Sequence, residues 1–326
     1  MHAIRLHEFG PPENLRYEEV EDPVPGPGQV RVAVTAAGVH LLDTRLRAGE
    51  AGGPLPLPEL PSIPGREVAG RVDALGPGVA EEWLGRRVVA HLGPASQGYA
   101  ERAVTDAGRL HAVPDGVPDE AAVAMIGTGR TAMAVLEAAA LTADDVVVVP
   151  AAAGGLGALL VQAAVDAGAF VVGLAGGAAK VAIVRDLGAH VALDYRRETW
   201  PAEVRDALDG REVTVVLDGV GGAAGRSALE LLAPGGRLLM FGYSEGTPTP
   251  VTSEDVWARG ITVTTAIGVR LMRRPGGLRE LEERALAAAA EGRLTPLRTA
   301  FPLKDAGAAH AALEARATTG KVVLVP

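Results

Sequence analysis

Residues 146–165 read VVVVPAAAGGLGALLVQAAV, a stretch without a single charged side chain. Its length alone would permit a membrane span. The chemistry inside it favours another structure, because VVVVP is β-branched like a buried parallel strand and AAAGGLG would break a lone helix in lipid. ALLVQAAVDAG then has the pattern of a helix that Gly168 closes. The stretch therefore predicts a strand, a glycine turn and a helix.

The segments downstream repeat this alternation of strand and helix. Strand-like runs follow in the order FVVGLAG, HVALDY, VTVVLDGV and GRLLMFG, and ITVTTAIG is expected at the sheet edge. This rhythm predicts a parallel, doubly wound α/β sheet. The first 120 or so residues are instead β-rich with proline-rich turns, and the closing KVVLVP is expected to pair back with them. We therefore predict a β-rich domain of residues 1–122 and 269–326 and an α/β domain of residues 123–268.

Composition excludes several classes of protein. The formal net charge of the 326 residues is −9 and the basic residues are dispersed, which argues against a nucleic-acid surface. The chain has no cysteine, so disulfides, thiol catalysis and cysteine-ligated zinc are excluded. The first twenty residues carry no apolar signal-like stretch, so a cytoplasmic protein is expected.

The glycine turn matches a dinucleotide-binding fingerprint. Ala152, Gly154 and Gly157 have the spacing G-x-G-x-x-G, with Ala in place of the first glycine and with Gly155 and Leu156 between the other two. Such a turn lets backbone approach a pyrophosphate at a helix N-terminus. A glycine-rich turn that only packs a helix on a strand is the alternative. The surrounding strand and helix units favour a Rossmann fold that binds a nicotinamide cofactor.

The end of the next predicted strand bears on the choice of cofactor. An NAD enzyme often carries Asp or Glu there to bind the ribose hydroxyls, whereas this chain has Gly176 and Gly177. Lys180 could neutralise a 2′-phosphate, although it could equally be a solvated helix residue. Tyr195 could flank the adenine. These features favour NADPH over NADH.

Several motifs together resemble one family along the whole chain: GVHLLDTRLRAGE, IPGREVAGRV, AAAGGLG, GGAAK, LDYRRE, DGVGG and PLKDAGAAHAALEARATTGKVVLVP. The chain resembles the quinone oxidoreductase (zeta-crystallin-like) branch of the medium-chain dehydrogenase/reductase superfamily. The resemblance implies a Rossmann domain, a split β-rich (GroES-like) catalytic domain with a cleft between the two, and homodimers formed through Rossmann edge strands. It also implies further cofactor contacts at Thr44, Thr131, Gly219, Phe241, Gly242, Ala266, Ile267, Gly268 and Arg316.

The predicted catalytic residues are His40, Asp43 and Arg45. The family motif G-V-N-F-x-D reads GVHLLD here, so His40 stands where an Asn is usual, and Arg45 replaces a frequent Tyr. An aromatic residue that is often found nearby is missing from EAGG, residues 50–53. His40 could donate a proton to a carbonyl oxygen, or it could be a hydrogen-bonded cleft residue without a chemical role. Arg45 could attract an anionic or carbonyl-bearing substrate or face solvent.

No metal is expected. Zinc alcohol dehydrogenases of this superfamily have a His beside the Glu of their GHE motif, whereas this chain has Arg66 before Glu67. A zinc site would have to be assembled from His40, Glu67 and His91, which is an unusual donor set. Glu67 is expected to pair with an Arg inside the fold.

The sequence therefore predicts an NADPH-dependent, zinc-independent quinone oxidoreductase that acts on a quinone or a related electron-poor carbonyl compound. An NADPH-dependent enoyl or 2-alkenal reductase is one alternative. A non-catalytic NADPH-binding protein is the other. We expect a small-molecule substrate, no nucleic-acid or membrane partner, and a homodimer.

Overall fold

The computed structural model describes residues 1–50, 56–93 and 96–326. Within these ranges the chain divides into two compact units. Unit 1 contains residues 1–128 and 298–326, and unit 2 contains residues 129–297. The predicted fold class is confirmed, because unit 2 holds a parallel sheet and unit 1 is a separate β-rich, GroES-like unit formed from both ends of the chain.

The elements are numbered here in chain order. The strands are β1 His2–Leu6, β2 Leu15–Glu19, β3 Gln29–Val39, β4 Glu67–Leu75, β5 Arg87–His91, β6 Arg102–Asp106, β7 Leu110–Ala112, β8 Val146–Val149, β9 Phe170–Ala175, β10 Val191–Asp194, β11 Val213–Asp218, β12 Leu232–Met240, β13 Thr262–Thr265, β14 Arg298–Pro302 and β15 Lys321–Val325. The α-helices are α1 Leu41–Ala48, α2 Asp119–Ala124, α3 Arg130–Ala139, α4 Gly155–Asp166, α5 Ala178–Asp186, α6 Trp200–Leu208, α7 Gly222–Leu231, α8 Ser253–Arg259, α9 Val269–Met272, α10 Arg279–Ala290 and α11 Ala306–Glu314.

Unit 2 is built on one parallel sheet with the strand order β10-β9-β8-β11-β12-β13. β8 is buried along its whole length, as its run of four valines predicts. β13 lies at the sheet edge, as predicted. The stretch quoted at the outset is β8, a turn and most of α4. In the described ranges, no helix combines the length and apolarity needed to cross a bilayer.

Unit 1 contains a mostly antiparallel sheet with the order β14-β15-β3-β4-β5-β7, and β6 also pairs with β3. The last strand of the chain pairs antiparallel with β3, as predicted, with Val322 opposite Val39. The β15 residues from Lys321 to Leu324 are buried, so a lysine begins an otherwise apolar core strand. This pairing brings the C-terminal segment beside the end of β3, where α1 begins.

The division between the units differs from the domain boundaries that were predicted from the sequence, 122/123 and 268/269. α2 packs against β3 and β4 of unit 1, and Asp119 pairs with Arg87 on β5, which moves the first crossing to 128/129. α10 packs against α3 of unit 2, where Arg130 and Glu282 form an ion pair of 2.8 Å. The second crossing therefore falls at 297/298.

Candidate active site

The turn between β8 and α4 places the fingerprint residues at the carboxyl edge of the parallel sheet. Ala152 is fully buried, and its N–H donates to the Leu174 carbonyl of β9 at 2.8 Å. The Gly154 N–H donates to the Ala151 carbonyl at 2.9 Å, so the chain turns tightly before α4 begins at Gly155. A helix N-terminus there presents backbone N–H groups and a positive dipole end, which suit a phosphate.

Gly157 shows why the turn needs a glycine in its third fingerprint position. A Cβ atom at Gly157 would lie 2.3 Å from the Ala151 carbonyl oxygen and 2.9 Å from the Ala152 Cα. Both are main-chain atoms that cannot rotate away. The first turn of α4 is therefore pressed against the loop that a pyrophosphate would occupy, which is the packing that a dinucleotide turn requires.

The end of β9 carries a polar group that sequence reasoning missed. A Cβ at Gly176 would lie 3.4 Å from the Tyr195 hydroxyl, and one at Gly177 would lie 2.6 Å from the Arg196 guanidinium. Arg196 forms a bidentate ion pair with Asp194: its Nε donates to Oδ1 at 3.1 Å and its Nη2 donates to Oδ2 at 2.9 Å. Arg196 holds the pKa of the Asp194 carboxyl well below its usual range. A carboxylate does therefore lie beside the glycine pair, but its charge is matched by an arginine.

The other cofactor residues predicted in unit 2 fall on the same side of the sheet. Gly219 and Gly242 follow β11 and β12, and a Cβ at Gly219 would meet the Phe241 ring at 2.5 Å. Residues 266–268 follow β13. Lys180 lies in the first turn of α5 and Thr131 in the first turn of α3. Strand ends and helix starts of a doubly wound sheet meet at this edge, where such folds bind ligands.

His40 belongs to a buried charged cluster in unit 1. His40 Nε2 lies 2.6 Å from Glu67 Oε1, and Lys321 Nζ lies 2.7 Å from Glu67 Oε2. Lys321 Nζ is also 3.0 Å from His40 Nε2. Glu67 is fully buried, Lys321 is nearly so, and the His40 side chain is 24% exposed. The expectation that Glu67 pairs with an Arg is wrong, because its partners are a lysine and a histidine.

Two glycines make the space for the Glu67 carboxylate. A Cβ at Gly38 would lie 2.2 Å from Oε2, and one at Gly127 would lie 1.6 Å from Oε1. Burial alone would raise the pKa of the Glu67 carboxyl, but the charges of His40 and Lys321 outweigh burial and hold it well below its usual value. Glu67 is therefore a buried carboxylate that His40 contacts on one oxygen and Lys321 on the other.

Asp43 lies behind His40 and supports it. One of its oxygens accepts the His40 backbone N–H at 2.8 Å and the Tyr99 hydroxyl at 3.2 Å, and the other accepts from Arg66 at 3.3 Å. Burial favours a higher pKa for the Asp43 carboxyl, yet Arg66 and His40 keep it below its usual value. Asp43 is 4% exposed, which gives it a supporting position in this cluster.

His310, on α11, extends the hydrogen-bond network of Asp43, Tyr99 and Arg66. It is fully buried, and its Nε2 lies 3.2 Å from the Tyr99 hydroxyl. Because Tyr99 donates its own proton to Asp43, His310 is the donor in this hydrogen bond and carries its proton on Nε2. Burial lowers the pKa of His310 to about 4, although the Asp43 charge opposes the shift. His310 is thus a neutral structural residue near neutral pH.

The remaining predicted residues of unit 1 lie on α1 and just after α11. The Thr44 hydroxyl donates to the Leu41 carbonyl within α1 at 2.8 Å. Arg45 is partly exposed on the same helix. Arg316 is exposed just after α11, with a left-handed φ of 54°. The segment EAGG, residues 50–53, lacks the aromatic residue that is frequent in the family, and its residues 51–53 lie outside the described residues.

Sequence reasoning missed two residues for which a signal was present. Lys321 is the charged residue of KVVLV, and a lysine at the start of a buried strand needs a counter-charge. Arg196 directly follows Tyr195, the residue that the sequence predicts could flank the adenine.

Comparison with known proteins assigns the family. Two family models match: an alcohol dehydrogenase GroES-like domain over residues 26–152 and a zinc-binding dehydrogenase over residues 155–286. A 2-haloacrylate reductase of a Burkholderia species is 33% identical, with 99% of this chain and 98% of that protein covered. A quinone oxidoreductase of Pseudomonas aeruginosa is 32% identical, with 99% of each covered. The structure of Escherichia coli quinone oxidoreductase complexed with NADPH matches with a TM-score of 0.88 at 30% identity over 100% of both chains.

The chain therefore belongs to the quinone oxidoreductase branch of the medium-chain dehydrogenase/reductase superfamily, as its motifs predicted. It is an oxidoreductase.

The residues present do not fit the zinc ion that the name of one matched family suggests. Lys321 Nζ contacts both His40 and Glu67, so an ammonium group lies where these two donors converge. Arg66, which stands where zinc alcohol dehydrogenases have a His, forms an ion pair with Asp43 at 3.3 Å. Over residues 1–50, 56–93 and 96–326, no three His, Asp or Glu side chains are grouped to hold a metal ion.

Proposed function

We propose that this protein is an NADPH-dependent reductase that acts without zinc on a quinone or a related electron-poor carbonyl compound. The observation that carries the proposal is the tight turn between β8 and α4, in which Gly157 is packed against the Ala151 carbonyl. Full-length similarity to a quinone oxidoreductase solved with NADPH supports it.

The residues of unit 2 fit NADPH as a group. Backbone N–H groups of the turn and of the first turn of α4 would hold the pyrophosphate, and Lys180, Tyr195 and Arg196 would surround the adenosine end with its 2′-phosphate. Bound NADPH supplies a hydride to the substrate. The further residues of unit 2 proposed for cofactor binding are Ala152, Gly154, Gly155, Leu156, Gly157, Gly176, Gly177, Thr131, Gly219, Phe241, Gly242, Ala266, Ile267 and Gly268. The cofactor contacts at Thr44 and Arg316 that the family resemblance implies stay predictions.

Arg196→Ala is expected to weaken the preference for NADPH. The substitution removes a cation and exposes the Asp194 carboxylate, which would repel a 2′-phosphate. The ratio of kcat/KM for NADPH to that for NADH should fall at least ~10-fold, with NADH itself little affected. Steady-state kinetics with both cofactors measures it. Arg197→Ala is the matched control, because Arg197 is similarly exposed but pairs with Glu203; equal effects of the two variants would contradict the assignment.

His40 is the proposed proton or hydrogen-bond donor to the substrate oxygen. Its ring is partly exposed, while Glu67 and Lys321 hold Nε2 from inside the fold. Asp43 fixes the start of α1 by accepting the His40 backbone N–H. Arg45, five residues along the chain from His40, would attract a carbonyl-bearing substrate. A developing oxyanion needs such a donor when an enone is reduced, whereas solvent can complete the protonation of a quinone.

A 2-alkenal or enoyl reductase is the second candidate, favoured by the 33% identity to a 2-haloacrylate reductase. NADPH oxidation by the purified protein, followed with a quinone and a 2-alkenal in parallel, separates the two. Faster turnover with the quinone is expected. Faster turnover with the alkenal would select the second candidate, and saturable NADPH binding without turnover would contradict both.

We also propose a homodimer formed through the edge of the unit 2 sheet. β13 is the last strand of that sheet, and an exposed edge strand readily pairs with another chain. Large apolar side chains near this strand are exposed: Trp257 by 89%, Val269 by 66% and Met272 by 75%. Burial of these side chains against a second copy would stabilise the pairing.

A further inference from the structure

Asp218, the last residue of β11, has a fully buried carboxyl group that joins two separate segments of unit 2. Its Oδ1 accepts the backbone N–H of Val220 at 2.8 Å and that of Gly221 at 3.0 Å. Its Oδ2 accepts the hydroxyl of Thr249, which lies 31 positions further along the chain. A buried carboxyl group is costly unless hydrogen bonds satisfy it, so this side chain fixes its own turn and also holds Thr249 in place.

The segments joined in this way are the β11 loop, residues 219–221, and the β12 loop, residues 241–252. Main-chain hydrogen bonds also connect them: Phe241 N–H to the Asp218 carbonyl at 2.8 Å, Ser244 N–H to the Gly219 carbonyl at 3.2 Å, Glu245 N–H to the Val220 carbonyl at 2.9 Å, and, from the start of α7, Gly222 N–H to the Thr247 carbonyl at 2.9 Å. The two loops therefore form one connected layer beyond the sheet.

Helix α7 encloses the Asp218–Thr249 pair. Thr249 is only 6% exposed. A Cβ at Gly225 in α7 would lie 2.1 Å from the Thr249 hydroxyl oxygen and 2.8 Å from Asp218 Oδ2. The helix backbone is thus packed directly on the hydrogen bond between the two side chains. Both side chains act from inside the fold, and each sets the position of the loop to which it belongs.

The sheet order places these loops at one end of the proposed cofactor site. β9 and β10 lie on one side of β8, while β11 and β12 lie on the other. Lys180, Tyr195 and Arg196, which we propose for the adenosine end, all follow β9 or β10. A dinucleotide lies across the point where such a sheet reverses its strand order, with one nucleotide on each half. The nicotinamide end would therefore meet the β11 and β12 loops, which contain Gly219 and Gly242.

We propose that Asp218 and Thr249 are positioning residues that hold the β11 and β12 loops together as the support for the nicotinamide half of NADPH; this inference rests on the proposed function. Removal of the Thr249 hydroxyl would leave one buried Asp218 oxygen without its donor and release the side-chain connection of the β12 loop. The residues at the ends of β9 and β10 would keep their own contacts. The loss should therefore affect one half of the cofactor and spare the other.

The test compares two ligands of the full-length protein by calorimetry. NADPH contains both halves of the cofactor, whereas adenosine 2′,5′-bisphosphate contains the adenosine and its 2′-phosphate but no nicotinamide. In Thr249→Val the Kd of NADPH should rise at least ~10-fold, while that of the bisphosphate should stay within about 2-fold of the wild type. Thr249→Ser keeps the hydroxyl and should restore NADPH binding. Thr249→Ala removes the same hydroxyl and gives a second measurement if Thr249→Val does not fold.

A second threonine on β11 provides the matched control. The Thr214 hydroxyl donates to Asp145 Oδ1 at 2.7 Å near the opposite end of the strand. Thr214→Val should lower the melting temperature but leave the affinity for NADPH unchanged. Equal losses of NADPH affinity in the two valine variants, or equal losses of both ligands in Thr249→Val, would overturn the proposal.

The same titrations separate failure of this inference from failure of the proposed function. A wild-type protein that does not bind NADPH would refute the proposed function and this inference with it. A wild-type protein that binds NADPH, together with folded Thr249→Val and Thr249→Ala variants that bind it equally well, would refute the inference alone.

Discussion

Gly157→Ala is expected to weaken NADPH binding by ~100-fold, the cost of losing two or so charge-assisted hydrogen bonds to phosphate. The added methyl would lie 2.3 Å from the Ala151 carbonyl oxygen, and neither this atom nor the nearby Ala152 Cα can rotate aside. The turn or the first turn of α4 must therefore shift, and the backbone N–H groups lose their alignment. Titration of NADPH by fluorescence or calorimetry measures the effect.

Gly108→Ala is the matched control for this experiment. A Cβ at Gly108 would have no atom within 4 Å, so this variant should bind NADPH like the wild type. Far-UV circular dichroism would show whether both variants are folded. Wild-type affinity in a folded Gly157→Ala variant would contradict the assignment of the turn to the pyrophosphate.

Glu67→Leu is expected to lower the free energy of unfolding by about 3–5 kcal/mol, because it leaves the Lys321 ammonium buried without its counter-charge. Adding Lys321→Met should recover most of this loss, since two apolar side chains can replace a buried ion pair at little cost. Urea unfolding of the two single variants and the double variant at pH 7 measures the difference.

An exposed ion pair provides the control for this prediction. Glu291 and Arg293 form an ion pair in which both side chains are at least half exposed. Glu291→Leu should change the free energy of unfolding by less than about 1 kcal/mol. A double Glu67→Leu/Lys321→Met variant as unstable as the sum of its single variants would contradict the account of a coupled buried pair.

The local part of this structure could be predicted from sequence. Four valines followed by a glycine-rich turn define a buried strand and a helix start, and both elements are where the pattern places them. The helix-like run DEAAVAMIGTGRTAMAVLEAAAL, residues 119–141, has a polar break at Thr128–Thr131, and the structure has the π-helical turn Met125–Gly129 between α2 and α3. Such features depend on neighbours in the chain, which the sequence displays directly.

The pairing of distant charges could not be predicted in the same way. Glu67 and Lys321 are 254 positions apart in the chain, and they meet only because β15 and β4 flank β3 in the sheet. The sequence shows that Lys321 needs a partner but does not identify it. Likewise, α10 has an ordinary amphipathic pattern, and only its packing on α3 shows which unit contains it.

The most direct test of the central claim is NADPH oxidation by protein that has been dialysed against a strong chelator, with its zinc content measured on the same sample. A metal-independent reductase predicts undiminished turnover with a quinone or 2-alkenal at well below one zinc per chain. Turnover that is lost on chelation and restored by added zinc would contradict the account, because it would require a metal where Lys321 contacts His40 and Glu67.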